Sequence, residues 1–223
     1  MVGDKIYCPS STENKGWRLH FEVTDKKLSK WQKIGPLEAE LSLPTAVRKS
    51  PVTTKDALGN NKNDQEAGEA IKTAKPQPIL AIQPSIMFLK DGRLKVLART
   101  RNANLATAES RDKGKTWSKV TLSDLPNNNS GTDAVTLKDG RQMLIYNDFS
   151  TIDGTPKGPR TPLSLAISDD GEHWRKLMDL ETSPVSQYSY PSIIQGSDGK
   201  VYCIYTWRHR RIKFIEIDLN KLK

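Results

Sequence analysis

The chain alternates short runs of apolar residues with polar turns, and one such arrangement occurs three times. In each copy an apolar run is followed by an Asp-Gly pair and then by a second apolar run. The copies span residues 83–99, 131–147 and 190–206, with the Asp-Gly pairs at 91–92, 139–140 and 198–199. Because both residues of an Asp-Gly pair tolerate the positive φ of a tight turn, the pattern predicts three β-hairpins.

A second motif follows each of the first two predicted hairpins. Residues 110–117 read SRDKGKTW and residues 167–174 read ISDDGEHW. Aligning the two segments on their glycine and tryptophan puts Asp169 opposite Asp112. Such a turn needs a carboxylate that accepts backbone N–H groups, a glycine with positive φ, and an aromatic ring that holds the turn on the sheet. We therefore interpret both aspartates as structural.

The turn motif resembles the Asp-box of sialidase-type β-propellers, which are built from BNR repeats. Two hairpins in tandem supply the four antiparallel strands of a propeller blade. The resemblance implies complete blades over Ile79–Leu122 and Ser130–Leu180. It also implies a partial blade before them, with a degenerate Asp-box at Asp25–Trp31, and a partial blade after them. We expect an all-β fold, with residues 1–223 as one incomplete propeller domain of about three to four blades.

Both ends of the chain stop part-way through a predicted blade. The resemblance implies the C-terminal part of a longer propeller, either as a fragment or as the product of a truncated gene. The closing segment is similar to that of a divergent, neuraminidase-like branch of the family. Open blade edges expose strand N–H and C=O groups that pair with other chains, so we predict possible self-association.

Residues 49–77 interrupt the pattern of short strands. The segment is rich in Lys, Asn, Thr and Pro and contains almost no large apolar residue. A long connection that buries little apolar surface is usually disordered or functional. We interpret it as a flexible insertion between blades.

Composition restricts the kinds of partner. The chain carries 35 Lys and Arg against 26 Asp and Glu, which gives a net charge of +9 and a pI near 9.5. The basic residues are spread along the sequence, and the one dense cluster is WRHRRIK at Trp207–Lys213. Excess positive charge attracts nucleic acids and acidic small ligands alike. The scattered distribution favours an acidic ligand over DNA or RNA.

Other classes of protein are disfavoured by what the sequence contains. No apolar stretch approaches the roughly 20 residues that cross a bilayer, and the N-terminus lacks the apolar run of a signal peptide. These observations leave the localisation open. Cys8 and Cys203 are too few for a disulfide framework, and we interpret them as small core residues. The three histidines show no metal-ligand spacing and no glycine-rich phosphate loop is present, so we predict neither a metal nor a cofactor.

The aligned hairpins place polar residues at equivalent positions of the strands that line a propeller channel. These positions are Gln83, Gly131 and Tyr190 in one set, Ser85, Asp133 and Ser192 in a second, and Arg99, Asn147 and Thr206 in a third. Simple core packing would place aliphatic residues there. The polar character therefore predicts a pocket at one mouth of the channel, with Gln83 and Asn147 among the residues that line it.

The resemblance also implies roles for individual residues. Sialidases hold the sugar carboxylate with three arginines and attack the anomeric carbon with a tyrosine, an exception among glycosidases. Arg99 and Arg160 match the second and third arginines of that set, and Tyr190 matches the nucleophile. The alternation of the last strands suggests that Arg208 also faces the channel. Each match has a plainer alternative, namely a solvated strand end, a surface loop or a packing tyrosine.

Some of the expected catalytic groups have no match. The first arginine and the catalytic Asp acid/base belong to family blades that the chain does not contain. The glutamate that polarises the tyrosine is expected near Ile79, where no acid occurs. Asp133 on a neighbouring inner strand is our candidate to replace it.

We therefore expect a sialidase-like exo-glycoside hydrolase that acts on an acidic sugar or glycan and has little or no activity as this chain. The alternative is a non-catalytic propeller that binds carbohydrate or serves as a scaffold.

Overall fold

The computed structural model describes residues 3–14, 16–42, 75–151, 157–184 and 187–221. Within these ranges the chain consists of β-strands, turns and one short 3-10 helix at Leu219–Lys221. No helix in these ranges has the length and apolar character needed to span a membrane. The strands form four antiparallel sheets in sequence order, which we call blades I to IV, and one small ladder. The prediction of an all-β, incomplete propeller is confirmed.

The two central blades have four strands each and the two outer blades have three. The strands of blade I are β1 (Lys5–Thr12), β2 (Arg18–Asp25) and β3 (Trp31–Ile34). The ladder consists of β4 (Leu41–Ser42) and β5 (Gln77–Pro78). The strands of blade II are β6 (Ala81–Phe88), β7 (Leu94–Thr100), β8 (Asn104–Ser110) and β9 (Thr121–Pro126). Those of blade III are β10 (Asp133–Thr136), β11 (Gln142–Asn147), β12 (Leu163–Ser168) and β13 (Arg175–Glu181). Those of blade IV are β14 (Tyr188–Gln195), β15 (Val201–Trp207) and β16 (Arg211–Ile217).

The observed blades agree closely with the expected ones. Blade II spans Ala81–Pro126 and blade III spans Asp133–Glu181, within four residues of the predicted limits. The predicted insertion at 49–77 falls mostly outside the described residues. Its last residue, Gln77, begins β5 and pairs with Ser42.

Apolar side chains fill three layers, each between two successive blades. Strand β7 shows how one strand serves two of them, because its side chains alternate between the faces of the sheet. Val96 packs towards Phe21 of blade I, and Leu97 packs towards Leu144 of blade III. Cys203 is buried in the layer between blades III and IV, whereas Cys8 is only half-buried, and both thiols are free.

The first Asp-box forms the predicted turn between β8 and β9. Both carboxylate oxygens of Asp112 accept the backbone N–H of Thr116, at 2.9 and 3.1 Å, and one accepts its hydroxyl at 2.6 Å. These hydrogen bonds lower the pKa of Asp112 to about 2. Gly114 has a φ of +81°, and Trp117 stacks on Phe21 of blade I with ring centroids 4.1 Å apart. The turn is thus fixed from within and pinned to the neighbouring blade.

The second Asp-box corrects the sequence alignment. Asp170, not Asp169, accepts the backbone N–H groups of Glu172 and His173, each at 2.8 Å. Ser168 donates to Asp170 and accepts from Gly171, as Ser110 does in the first turn. The serine therefore sets the register, and the second turn is one residue shorter between aspartate and glycine. In blade I, the degenerate box keeps Asp25 as an acceptor for Lys27 N, with Leu28 at a positive φ of 56°.

Each Asp-box turn also contacts the blade that precedes it. The Tyr7 hydroxyl of β1 donates to the Lys113 carbonyl at 2.5 Å. In the next interface, Arg93 donates to Glu172 at 3.0 Å and Lys95 pairs with the same carboxylate. A contact from one blade to the Asp-box turn of the next thus recurs, as a neutral hydrogen bond in one interface and as ion pairs in the other.

Blade IV has one covered and one open face. Residues of one face pack on blade III, whereas the other exposes a row of apolar side chains, namely Ile194, Ile204, Ile212 and Phe214. Phe214 stacks on Tyr202 with centroids 5.8 Å apart. The open face adds an apolar surface to the free strand edges, and self-association stays a prediction.

Candidate functional site

The two ends of the blades carry different groups. In blades II and III the Asp-Gly turn and the Asp-box lie at one end of the antiparallel strands, which we call the Asp-box face, and the Asp-box of blade I and the Asp-Gly turn of blade IV lie at the equivalent end. The start of the first strand and the end of the second lie at the other end, which we call the mouth. Because Tyr190 belongs to the start of β14 and Arg99 to the end of β7, both are at the mouth.

Arg99 is half-buried and held by neutral partners. Its Nε donates to Asn129 Oδ1 at 2.9 Å, and its Nη1 donates to Gln83 Oε1 at 3.3 Å. The indole of Trp17, from the loop after β1, lies 5.2 Å from its guanidinium carbon. Burial lowers the pKa of Arg99, and the adjacent Tyr190 opposes that shift. An arginine remains charged under such conditions, so the site keeps a positive charge that no contacting carboxylate neutralises among these partners.

Arg160 and Tyr190 form the second half of the site. The guanidinium carbon of Arg160 lies 5.2 Å from the centre of the Tyr190 ring. A hydrogen bond from Arg160 is the largest cause that lowers the pKa of Tyr190, and the charges of Arg160 and Arg99 add to it. Tyr190 is 51% exposed. The structure therefore brings Arg99, Arg160 and Tyr190 together at one solvent-exposed site.

Two residues of this site adopt backbone conformations that side chains rarely allow. Tyr190 has a φ of +52° and Gln83 a φ of +55°, and each lies at an irregularity in the pairing of its strand. Gly131 lies between them. A Cβ at this glycine would stand 3.0 Å from Gln83 Oε1 and 3.5 Å from Tyr190 Cδ1. The three residues aligned from the hairpin repeat are therefore neighbours, and such strain is concentrated at functional sites.

Asp133 joins the inner strands of three blades. Its carboxylate accepts the hydroxyls of Ser85 at 2.7 Å and Ser192 at 3.3 Å, and the backbone N–H groups of Ala134 and Ile193, each at 2.9 Å. Ser85, Asp133 and Ser192, which formed the second aligned set, are thus joined by hydrogen bonds across the channel. These four donors give Asp133 a connecting role, and its action as a base on Tyr190 stays a prediction.

Two other predicted site residues contact different partners at the mouth. Asn147 is fully buried, and its Nδ2 donates to the carbonyls of Pro162 and Tyr188. Its amide thus links neighbouring segments at the mouth. Arg208 lies in the exposed turn after β15 and stacks on Trp207, with 4.4 Å from its guanidinium carbon to the ring centre.

Ile79, the position at which the resemblance implies a glutamate, packs in the apolar layer between blades I and II, where it is buried. The side chain from this part of blade II that contacts Arg99 is Gln83. A carboxamide accepts a hydrogen bond there without carrying charge.

The loop before blade III contains site residues that we did not predict. Asn129 holds Arg99 directly, and Asn128 exchanges two hydrogen bonds with the Arg160 loop, at the carbonyl of Pro159 and the N–H of Gly158. Asn127 Oδ1 accepts the N–H groups of Thr100 and Asn129. Three successive asparagines are a turn signal in the sequence, but their contacts to Arg99 and to the loop that carries Arg160 follow only from the fold.

The repeated blades, the Asp-box turns and the mouth agree with a family comparison. The model of the BNR repeat-like domain matches residues 3–203. The chain belongs to this family. A comparison with curated protein sequences gives no match.

Solved structures of sialidases share the fold of this BNR repeat-like domain. The intramolecular trans-sialidase of Ruminococcus gnavus aligns with 98% of the chain at a TM-score of 0.61 and 16% identity. The leech intramolecular trans-sialidase aligns with 98% of the chain at a TM-score of 0.61 and 18% identity. The Trypanosoma rangeli sialidase aligns with 99% of the chain at a TM-score of 0.61 and 15% identity. The chain spans 41%, 30% and 31% of these three proteins, respectively. At these identities the comparison establishes the propeller fold alone.

Proposed function

We propose that the mouth binds the carboxylate of an acidic sugar through Arg99 and Arg160, in a sialidase-like exo-glycoside hydrolase site. The observation that carries the proposal is the convergence of two arginines on one exposed tyrosine. Guanidinium groups suit a carboxylate because their planar donors match its two oxygens. The sialidase structures that share the fold support an acidic sugar as the ligand class.

Tyr190 would act as the nucleophile. Its phenolic oxygen would lose its proton to water and attack the anomeric carbon while the bond to the leaving oxygen breaks, and that oxygen would take up a proton from water. A water molecule would then attack the anomeric carbon, give one proton to the departing Tyr190 oxygen and release the sugar. The lowered pKa of Tyr190 supports this role, because arginine donors stabilise the phenolate.

Hydrolysis by this chain alone is expected to be weak or absent. The resemblance assigns the general acid and a further arginine to blades outside the chain. Gln83, which contacts Arg99, carries a carboxamide that cannot act as a general base. General acid–base catalysis contributes about 10²–10⁴-fold to rates. The observation that Asp133 already accepts four donors favours the second candidate function, a propeller that binds acidic sugars without turnover.

Binding is tested by calorimetric titration with the methyl α-glycoside of N-acetylneuraminic acid. We expect a millimolar dissociation constant, equivalent to about 4 kcal/mol, and a loss of at least tenfold in Arg99→Gln and in Arg160→Gln. The methyl ester of the same glycoside lacks the charge and should not bind measurably. Arg111→Gln, an exposed arginine on the Asp-box face, should bind as the wild type does. Equal affinity for acid and ester would contradict a carboxylate site.

Turnover of a fluorogenic sialoside separates the two candidate functions. Release of the fluorophore that disappears in Tyr190→Phe would establish the hydrolase in this chain. Binding without release would identify the non-catalytic function.

A further inference from the structure

A cleft continues from Arg160 away from Tyr190. Its volume is about 530 Å³, within the range of sites that hold small ligands. The described residues that line it are Lys157, Gly158, Pro159, Arg160, Pro184, Gln187 and His209. Arg160 thus faces both the tyrosine and the cleft, so one bound molecule could reach from one to the other.

The walls of the cleft are fixed to each other by the backbone. The N–H of Tyr188 donates to the Arg160 carbonyl at 2.9 Å. On the other side, the N–H of Arg208 donates to the Gln187 carbonyl at 2.8 Å. The segment from Gln187 to Tyr190 therefore connects the Arg160 loop, the tyrosine and the turn that carries His209.

The turn that carries His209 does not contain the residues that its backbone geometry favours. Arg208 and His209 both have a φ of +53°, and the Arg210 N–H donates to the Trp207 carbonyl. Two successive positive φ values define a type I′ turn, in which Asn-Gly is preferred. The chain places two basic side chains there instead. Trp207 stacks with Arg208 and with Arg211, which holds the cluster together at the mouth.

Among the described residues that line the cleft, every ionisable side chain is basic. Lys157, Arg160 and His209 are its ionisable lining residues, and none of the described lining residues is acidic. The dense basic cluster of the sequence, Trp207–Lys213, thus contributes to this surface, although the carboxylate clamp does not use it. A second negative group is the ligand chemistry that such a cleft recognises.

We infer that the cleft is a second anion subsite, which receives the carboxylate of the next sugar in a glycan of consecutive acidic residues. This inference rests on the proposed function, because the terminal sugar would occupy Arg99 and Arg160. His209 would contact the second carboxylate, and Gln187 would supply a neutral donor. The substrate class would then be an oligomeric acidic glycan, not a single acidic sugar on a neutral chain.

The test compares two ligands by calorimetry at low salt with the full chain. One is the methyl α-glycoside of N-acetylneuraminic acid, and the other is its α2,8-linked dimer, which carries a second carboxylate. A charge-assisted hydrogen bond to this group should make the dimer bind about tenfold more tightly. His209→Gln should remove most of this advantage and leave the affinity for the single sugar unchanged. His173→Gln, an exposed histidine on the Asp-box face, should keep the advantage.

Each outcome bears on the inference. Equal affinity for the two ligands, or an advantage that survives in His209→Gln, would overturn the second subsite and leave the proposed function intact. Binding of neither ligand would overturn both. A six-residue oligothymidylate that binds as tightly as the dimer would show general attraction of polyanions, which contradicts a glycan subsite. A tenfold advantage that depends on His209 would support it.

Discussion

At the Asp-box face most residues with positive φ are glycines, with Leu28 and Lys113 as exceptions, whereas at the mouth most of them carry side chains. The glycines with positive φ in the hairpin and Asp-box turns are Gly92, Gly114, Gly140, Gly171 and Gly199. The residues with positive φ at the mouth are Gln83, Ala103, Asn129, Tyr190, Arg208 and His209. A positive φ is strained for every residue with a Cβ. Backbone strain therefore lowers stability at the mouth, at positions where a side chain is present instead of glycine.

The two ends of the blades also differ in how completely their polar groups are hydrogen-bonded. The Asp-box turns satisfy their own N–H groups through aspartate and serine. Among the described residues, eight buried side-chain polar atoms have no partner, and six of them lie at the mouth. These six belong to Asn128, Ser130, Thr132, Asn147, Thr161 and Ser189. The well-satisfied turns and the proposed site thus occupy opposite ends of the same strands.

The largest effect should come from adding a methyl group at the Asp-box face. Gly114→Ala puts a Cβ 2.6 Å from the Tyr7 ring at a φ of +81°, so strain and overpacking act together. We expect a loss of about 3 kcal/mol in the free energy of unfolding, measured by urea denaturation. Gly199→Ala is the matched control, because its φ is +85° but nothing lies within 4 Å of the new Cβ. It should lose only about 1 kcal/mol, and equal losses would show that the Tyr7 contact is unimportant.

At the mouth, a change of charge should reduce binding and leave stability nearly intact. Asn129→Asp keeps the shape of the side chain and tolerates the φ of +63°, but places a carboxylate against Arg99. This carboxylate competes with the ligand, so we expect about tenfold weaker binding of the acidic sugar. Asn220→Asp adds the same charge at an exposed distant position and should change little. A binding loss of the same size in both variants would mean that only the net charge matters.

The corrected register of the second Asp-box gives the next effect. Asp170→Asn removes the carboxylate that accepts two backbone N–H groups and pairs with His173. We expect a loss of about 1 kcal/mol in unfolding free energy, as for other turn-capping hydrogen bonds. Asp169→Asn should be close to neutral. A larger loss of unfolding free energy in Asp169→Asn than in Asp170→Asn would contradict the corrected register and support the alignment on glycine.

The smallest effect has the opposite sign. His209→Gly relieves a φ of +53° in an exposed turn, so we expect the protein to gain about 0.5 kcal/mol. The same variant should lose the tighter binding of the acidic dimer. His173→Gly is the control on the other face and should lose stability, because its side chain pairs with Asp170 at 2.7 Å. Loss of stability in His209→Gly would contradict the view that the mouth is strained.

The sequence predicts local features of the fold well and the site less well. Asp-Gly pairs and Asp-boxes predicted the hairpins and the blade order, because the signals for these turns lie within a few residues. The choice of Asp169 over Asp170 came from aligning the two turns on glycine, whereas the spacing from the preceding serine, which is two residues in both turns, selects Asp170. Gln83 was placed beside Arg99 by an irregular β6, and Asn129 by a contact across 30 residues. Such features arise from packing between blades.

The contacts between each Asp-box turn and the preceding blade give the molecule the energetics of a linear array. Blade II is coupled to blade I through Tyr7 and Lys113, and blade III to blade II through Arg93 and Glu172. In such an array each unit is stabilised mainly by its nearest neighbours. Within the described residues blades I and IV each pack on one neighbouring blade, so their amide protons should exchange with solvent before those of blades II and III. Loss of the Arg93 contact would then divide one cooperative transition into two.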